Sequence, residues 1–195
     1  MELERISQPL TWPPAGASPM QELCHDWHGQ AVGPPAQYRL VEDPTHLWLI
    51  AARAKPAIAH PTGDCGDFQE ELWKHDVAEL FIATPDRSAY LEFNLSPRGA
   101  WWAARFSGPR QPDPLEGLPE VLTHGSPEGS DRWIAALGVP LAWLRETIDW
   151  SPDSPLNVTF ILDSPQQRFL SACDLGEGEP DYHRPDGFRV PSEGS

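Results

Sequence analysis

The sequence predicts an all-β protein folded as one domain, and three observations carry that expectation. The 195 residues include 23 prolines and 15 glycines, and a helix interior loses about 3 kcal/mol to each proline whereas a strand can simply stop there. The apolar residues fall mostly in short runs bounded by turn-forming clusters, several of them alternating with period two. A chain of 195 residues can bury one substantial core, while two independent domains would each be small.

The elements follow in order. Residues 1–35, and 8–35 in particular, are rich in Pro, Gly and small side chains with Trp12 and Trp27 as large anchors, which reads as an irregular N-terminal arm. Residues 38–41 and 46–53 have strand composition, and Asp43-Pro44-Thr45 between them is turn chemistry. Residues 56–69 form a surface loop. Residues 75–83, 88–95 and 100–106 make a three-stranded meander, turning at Thr84-Pro85-Asp86-Arg87 and Ser96-Pro97-Arg98-Gly99. A strand at 132–139 is followed by a short capping helix at 140–147, with Pro140 in its first turn and Leu141, Leu144 and Ile148 along one face. Strands at 156–162 and 168–173 complete the sheets, and 191–195 is a frayed tail.

A formal net charge of -15 opposes binding to nucleic acid or anionic membranes, since such affinity needs basic groups that displace counterions. Met1 to Ile6 carries two acids where a secretory leader needs a basic start and an apolar run, and no apolar stretch approaches the roughly 18 residues of a membrane span. The expectation is a cytoplasmic protein. Cys24, Cys65 and Cys173 lack metal or disulfide spacing and read as reduced thiols.

Strand alternation supplies the candidate site. Val77, Glu79 and Phe81 share one face of the first meander strand, and Tyr90, Glu92, Asn94 and Ser96 share one face of the second. Pairing core face to core face sets Glu79 opposite Glu92, Phe81 opposite Tyr90 and Val77 opposite Asn94; a slip of two residues would leave the carboxylates diagonal. Like charges so placed need compensation, from Arg105 or Arg98, from a hard cation such as calcium, or from ligand hydroxyls. In the third strand the favoured register puts Trp101 beside Asn94 and Arg105 near Tyr90, with Trp102, Ala104 and Phe106 in the core. A bulge at Gly99 would reverse that choice. Trp73 stands at the mouth of this face. Each of these residues also has a plain structural reading, since tryptophans pack more often than they bind and Glu92 with Arg105 would make an ordinary ion pair.

The runs Leu72-Trp73-Lys74-His75-Asp76-Val77-Ala78-Glu79-Leu80-Phe81 and Tyr90-Leu91-Glu92-Phe93-Asn94-Leu95-Ser96-Pro97-Arg98-Gly99 resemble DOMON-like domains related to family 9 carbohydrate-binding modules. The late Tyr182-His183-Arg184-Pro185-Asp186-Gly187-Phe188 is similar to their closing segment. The resemblance implies a jelly-roll-like antiparallel β-sandwich and a non-catalytic module that holds a saccharide on its concave face. It makes Trp73 one stacking plate and Glu79 the acidic contact, and it leaves the second plate open between Tyr182 and Phe188. A protein partner could use the same aromatic surface. Haem is disfavoured because Met1 and Met20 are the only methionines and the histidines show no pairing pattern. Glu79 and Glu92 could serve a glycoside hydrolase, yet the chain has no catalytic motif of a known type.

Overall fold

The protein is described by a computed structural model covering residues 1–13, 19–127 and 129–194. The strands in chain order are β1 (Glu2–Arg5), β2 (Gln21–His25), β3 (Ala31–Glu42), β4 (His46–Arg53), β5 (Val77–Ala83), β6 (Tyr90–Leu95) and β7 (Trp101–Phe106). They continue as β8 (Pro112–Asp113), β9 (Leu122–His124), β10 (Trp133–Pro140), β11 (Leu156–Leu162), β12 (Arg168–Ser171) and β13 (Ser192–Glu193), with one helix, α1 (Leu141–Ile148), after β10. One sheet has the order β13-β1-β3-β4-β10-β9, with β2 also paired to β3, and the other has the order β12-β11-β5-β6-β7-β8. Among the described residues the strand pairings are antiparallel except those of β1, which runs parallel to β3 and β13. Among the described residues no helix is long and apolar enough to cross a membrane.

The two sheets face each other as a β-sandwich. Alternation decides what lies between them: Leu47, Leu49 and Ala51 of β4 and Leu137 and Val139 of β10 meet Leu80, Ile82, Leu91, Phe93 and Phe160 of the opposing sheet. The apolar face of α1, Leu141, Leu144 and Ile148, closes one end of this core. Gly138 has no side chain for a physical reason, since a Cβ there would stand 2.8 Å from the Trp48 indole.

Both outer faces are also covered. On the first sheet, Val41, Trp48 and Ile50 lie under Ile6, Leu10, Trp12 and Met20. On the second, Phe81, Tyr90 and Ile161 lie under Cys173, Leu175, Tyr182 and Phe188. This double cover is why every residue of β5 and β6 is buried.

Two expectations are corrected here. The region 1–35 is not an irregular arm throughout, because β1, β2 and the start of β3 lie within it. Its stretches 6–13 and 19–20 do lie over the sheet, and 14–18 fall outside the described residues. The tail is likewise not frayed at 192–193, where β13 pairs with β1. These strands of two to five residues are held by a neighbour's ladder rather than by their own composition, which is why alternation does not reveal them.

Candidate functional site

The outer face of the second sheet carries the site, and two turns fix which residues reach it. Between β5 and β6 the chain uses four loop residues, with Thr84 paired to Ala89 and Arg87 in the left-handed region. A two-residue turn of Pro85 and Asp86 would require a positive φ that proline cannot adopt. The Asp86 carboxylate stabilises the longer loop by accepting from Thr84 Oγ1 and from the Ser88 amide and hydroxyl. The pairing is therefore Glu79 with Asn94 and Phe81 with Glu92, two residues away from the expected register. Glu79 and Glu92 are diagonal neighbours.

Between β6 and β7, Gly99 adopts φ +90° and closes a three-residue loop in which its amide donates to Ser96 O. This is the hairpin whose left-handed glycine adds a bulge. It sets Trp102 beside Asn94, Ala104 beside Glu92 and Phe106 beside Tyr90, reversing the expected faces of β7. Trp101 is accordingly corrected to the inter-sheet core, where it packs edge-on against Phe68 and its indole N–H donates to Gly66 O. Arg105 is corrected as well: it pairs with Asp113 at the sheet edge, away from Tyr90 and Glu92.

A chain of polar groups crosses the floor. The Thr159 hydroxyl donates to Glu79 Oε2 at 2.6 Å, and the Asn94 amide donates to Glu92 Oε1 at 3.2 Å. Glu92 Oε2 lies 3.7 Å from His183 Nε2, and Nδ1 of the same ring is 2.8 Å from the Tyr90 hydroxyl. The Arg110 amide donates to that hydroxyl oxygen at 3.3 Å. Glu79, Glu92 and Asn94 are 2%, 7% and 0% exposed, so these contacts replace water rather than compete with it.

Burial sets the electrostatics. It pushes the Glu79 carboxyl well above the usual carboxylate range, and the Glu92 charge adds to this against the Thr159 hydrogen bond. Glu92 is also raised by burial, with the Asn94 amide and the Arg110 charge opposing. Burial and Arg110 lower His183 to about 4 despite Asp181, so the ring is neutral at pH 7. The Tyr90 hydroxyl has two acceptors in reach, His183 Nδ1 at 2.8 Å and Gly108 O at 3.4 Å; donating to the ring puts the imidazole hydrogen on Nε2, toward Glu92, and donating to Gly108 puts it on Nδ1.

Above this floor lies a cleft of about 490 Å³. Trp73 and Trp102 line it, as do Glu79, Glu92, Arg110, Tyr182 and His183. Trp73 sits on a 3-10 turn, Leu72–Lys74, and is 49% exposed, with its carbonyl held by Gln167 Nε2. Tyr182 donates its hydroxyl to Phe160 O. Arg110 pairs with Asp181, which places its guanidinium at the rim. Phe81, Phe106 and Phe169 supply apolar wall.

The sequence-predicted residues thus separate into groups. Trp73, Glu79, Glu92, Tyr182 and His183 line one cleft; Tyr90 and Asn94 are buried in the sheet that bears it, and Phe188 packs on Phe81 and Tyr90; Trp101 and Arg105 lie elsewhere. Trp102, Thr159, Phe169 and Arg110 were missed. The signal for Trp102 was the Gly99 turn, while Thr159 and Phe169 required knowing that β11 lies beside β5 and β12 beside β11.

His60 and His75, read as unpaired, meet edge-to-face with centroids 4.9 Å apart. Among the described residues no group of three or more His, Cys, Asp or Glu side chains is placed to hold a metal ion.

A candidate carbohydrate-binding protein from Bacteroides uniformis is similar over 99% of both chains, with a TM-score of 0.68 at 15% identity. A family 9 carbohydrate-binding module from Caldicellulosiruptor kristjanssonii, in complex with glucose, aligns over 97% of both chains with a TM-score of 0.56 at 13% identity. The chain shares their fold. The cellotriose complex of a Caldicellulosiruptor kristjanssonii family 9 module aligns with a TM-score of 0.54 at 13% identity, covering 100% of this chain and 95% of that one. No family model matches the sequence, and no curated protein matches it.

Proposed function

We propose that this domain is a non-catalytic saccharide-binding module, which takes a sugar ring against Trp73 and Trp102 and binds its hydroxyls through Glu92, His183 and Arg110. The observation that carries this reading is the convergence of two indoles, two carboxyls and an imidazole on one cleft. An indole offers a flat apolar face to the C–H surface of a pyranose, while at the ring edge a carboxylate accepts hydrogen bonds and a neutral imidazole accepts with one nitrogen and donates with the other. The cleft of about 490 Å³ falls within the usual range for small-ligand sites, roughly 300–1,000 Å³. The solved neighbours that hold glucose and cellotriose support the choice of ligand class. A non-catalytic role fits the carboxyls, which are tied into the floor by Thr159 and Asn94 rather than free to move with a reacting group.

Isothermal calorimetry against a panel of neutral saccharides checks this. Saturable binding is expected, and Trp73→Ala or Trp102→Ala should each weaken it by about 2 kcal/mol or more, the loss typical of an aromatic hot spot. Binding that survives both changes would overturn the site. Sugar hydrolysis that disappears in Glu92→Gln would overturn the non-catalytic reading.

A further inference from the structure

The floor of the cleft holds an acceptor with nothing to accept. Asn94 is completely buried, its amide nitrogen is committed to Glu92 Oε1, and its Oδ1 has no hydrogen-bond partner. Its direct cross-strand partner on the same face is Glu79, one of whose oxygens already receives the Thr159 hydroxyl. An ionised Glu79 would set two buried acceptors against each other, Asn94 being 0% and Glu79 2% exposed.

We propose that Glu79 is a neutral carboxylic acid whose proton is donated to Asn94 Oδ1, which leaves Glu92 as the anion of the floor and fits the cleft to an uncharged polyhydroxyl ligand. The groups around the pair agree. Thr159 on β11 offers Glu79 one hydroxyl, whereas Glu92 has the Asn94 amide and the field of Arg110 in its favour. From the closing segment, Tyr182 gives its hydroxyl to Phe160 O, so it is not a donor to Glu79, and His183 points at Glu92. Asp181 is engaged with Arg110 at the rim. Ionising Glu79 would add a second negative charge beside Glu92 in a buried space. With the proton in place, Glu92 accepts ligand hydroxyls, and a sugar acid would bring its carboxylate against the Glu92 charge. The ligand half of this proposal rests on the saccharide reading above; the protonation half does not.

The test compares the wild type with Glu79→Gln, whose carboxamide can donate to Asn94 and accept from Thr159. Glu79 binds a proton in the folded state that it releases on unfolding above its ordinary pKa. Its contribution to stability is therefore complete below about pH 4.3 and is lost as pH rises toward its raised folded value. In urea titrations between about pH 5 and 7, the wild-type folding constant should fall by up to about tenfold per pH unit relative to the variant. Parallel pH curves with the variant lower throughout would overturn the proposal. Should the variant not fold, the wild-type Glu79 carboxyl carbon, followed by NMR, decides: still protonated at about pH 6 supports it, and titration complete by about pH 5 overturns it.

Glucose and glucuronate, titrated calorimetrically, test the ligand half. Glucuronate binding at least tenfold weaker supports it, and equal or tighter glucuronate binding overturns it. If neither binds while the pH difference persists, the proton on Glu79 stands and the saccharide reading falls.

Discussion

Asp43 is a buried carboxylate of the opposite kind to Glu79. Its oxygens accept from the backbone N–H groups of Leu10, Thr45 and His46 and from the Trp48 indole N–H. Burial alone would raise its pKa, but these donors outweigh it and bring the group down to about 2. A depressed pKa contributes stability that is present above the ordinary value of 3.8 and lost as pH falls through about 2. Asp43→Asn should cost about 1–3 kcal/mol at neutral pH, and its stability difference from the wild type should shrink between about pH 4 and 2. Urea unfolding of both proteins across that range measures it. The contrast explains what was legible at this scale. Glu79 and Glu92 are visible in the sequence as acids on a patterned strand, but whether a buried acid is charged depends on its donors. Asp43 has four N–H donors and Glu79 one hydroxyl, and no spacing rule reveals that difference.

At the scale of elements, the strands forming the core were legible because alternation and turn residues bracket them: 46–53 and 156–162 were read with the observed limits of β4 and β11. Register was not legible, because it is settled inside turns. Pro85 and Gly99 each held the answer, one by forbidding a positive φ and the other by adopting it. The second turn also fastens the two sheets together. The Arg98–Gly99 backbone passes so close to Gly125, just after β9, that a Cβ there would lie 2.1 Å from the Arg98 carbonyl carbon, and Ser126 N donates to Pro97 O nearby. Gly125→Ala should cost at least about 1–3 kcal/mol, the usual range for overpacking, because rigid backbone rather than a flexible side chain must yield. Chemical denaturation measures this loss, and a variant as stable as the wild type would contradict a rigid crossing at Gly125.

For the whole molecule, the cleft depends on the closing segment. Tyr182 and Phe188 seal the outer face of the second sheet, and Phe188 is 2% exposed against Phe81 and Tyr90. Phe188→Ala should lower stability by about 3–5 kcal/mol, and it should weaken ligand binding too, since it removes a ring packed on Tyr90, whose hydroxyl meets His183. Thermal unfolding and calorimetry on the same variant check both effects. The closing aromatics were legible by resemblance; both pack over the second sheet and Tyr182 also lines the cleft, and under the proposed function the second plate is Trp102. In the proposed function Trp73 and Trp102 share one ligand above the Glu79, Asn94 and Glu92 floor. A crystal structure of the protein soaked with a saccharide that binds in calorimetry tests it most directly. The expected result is a sugar ring against both indoles with a hydroxyl donating to Glu92, and a ring bound elsewhere, with this cleft empty, would contradict the proposed function.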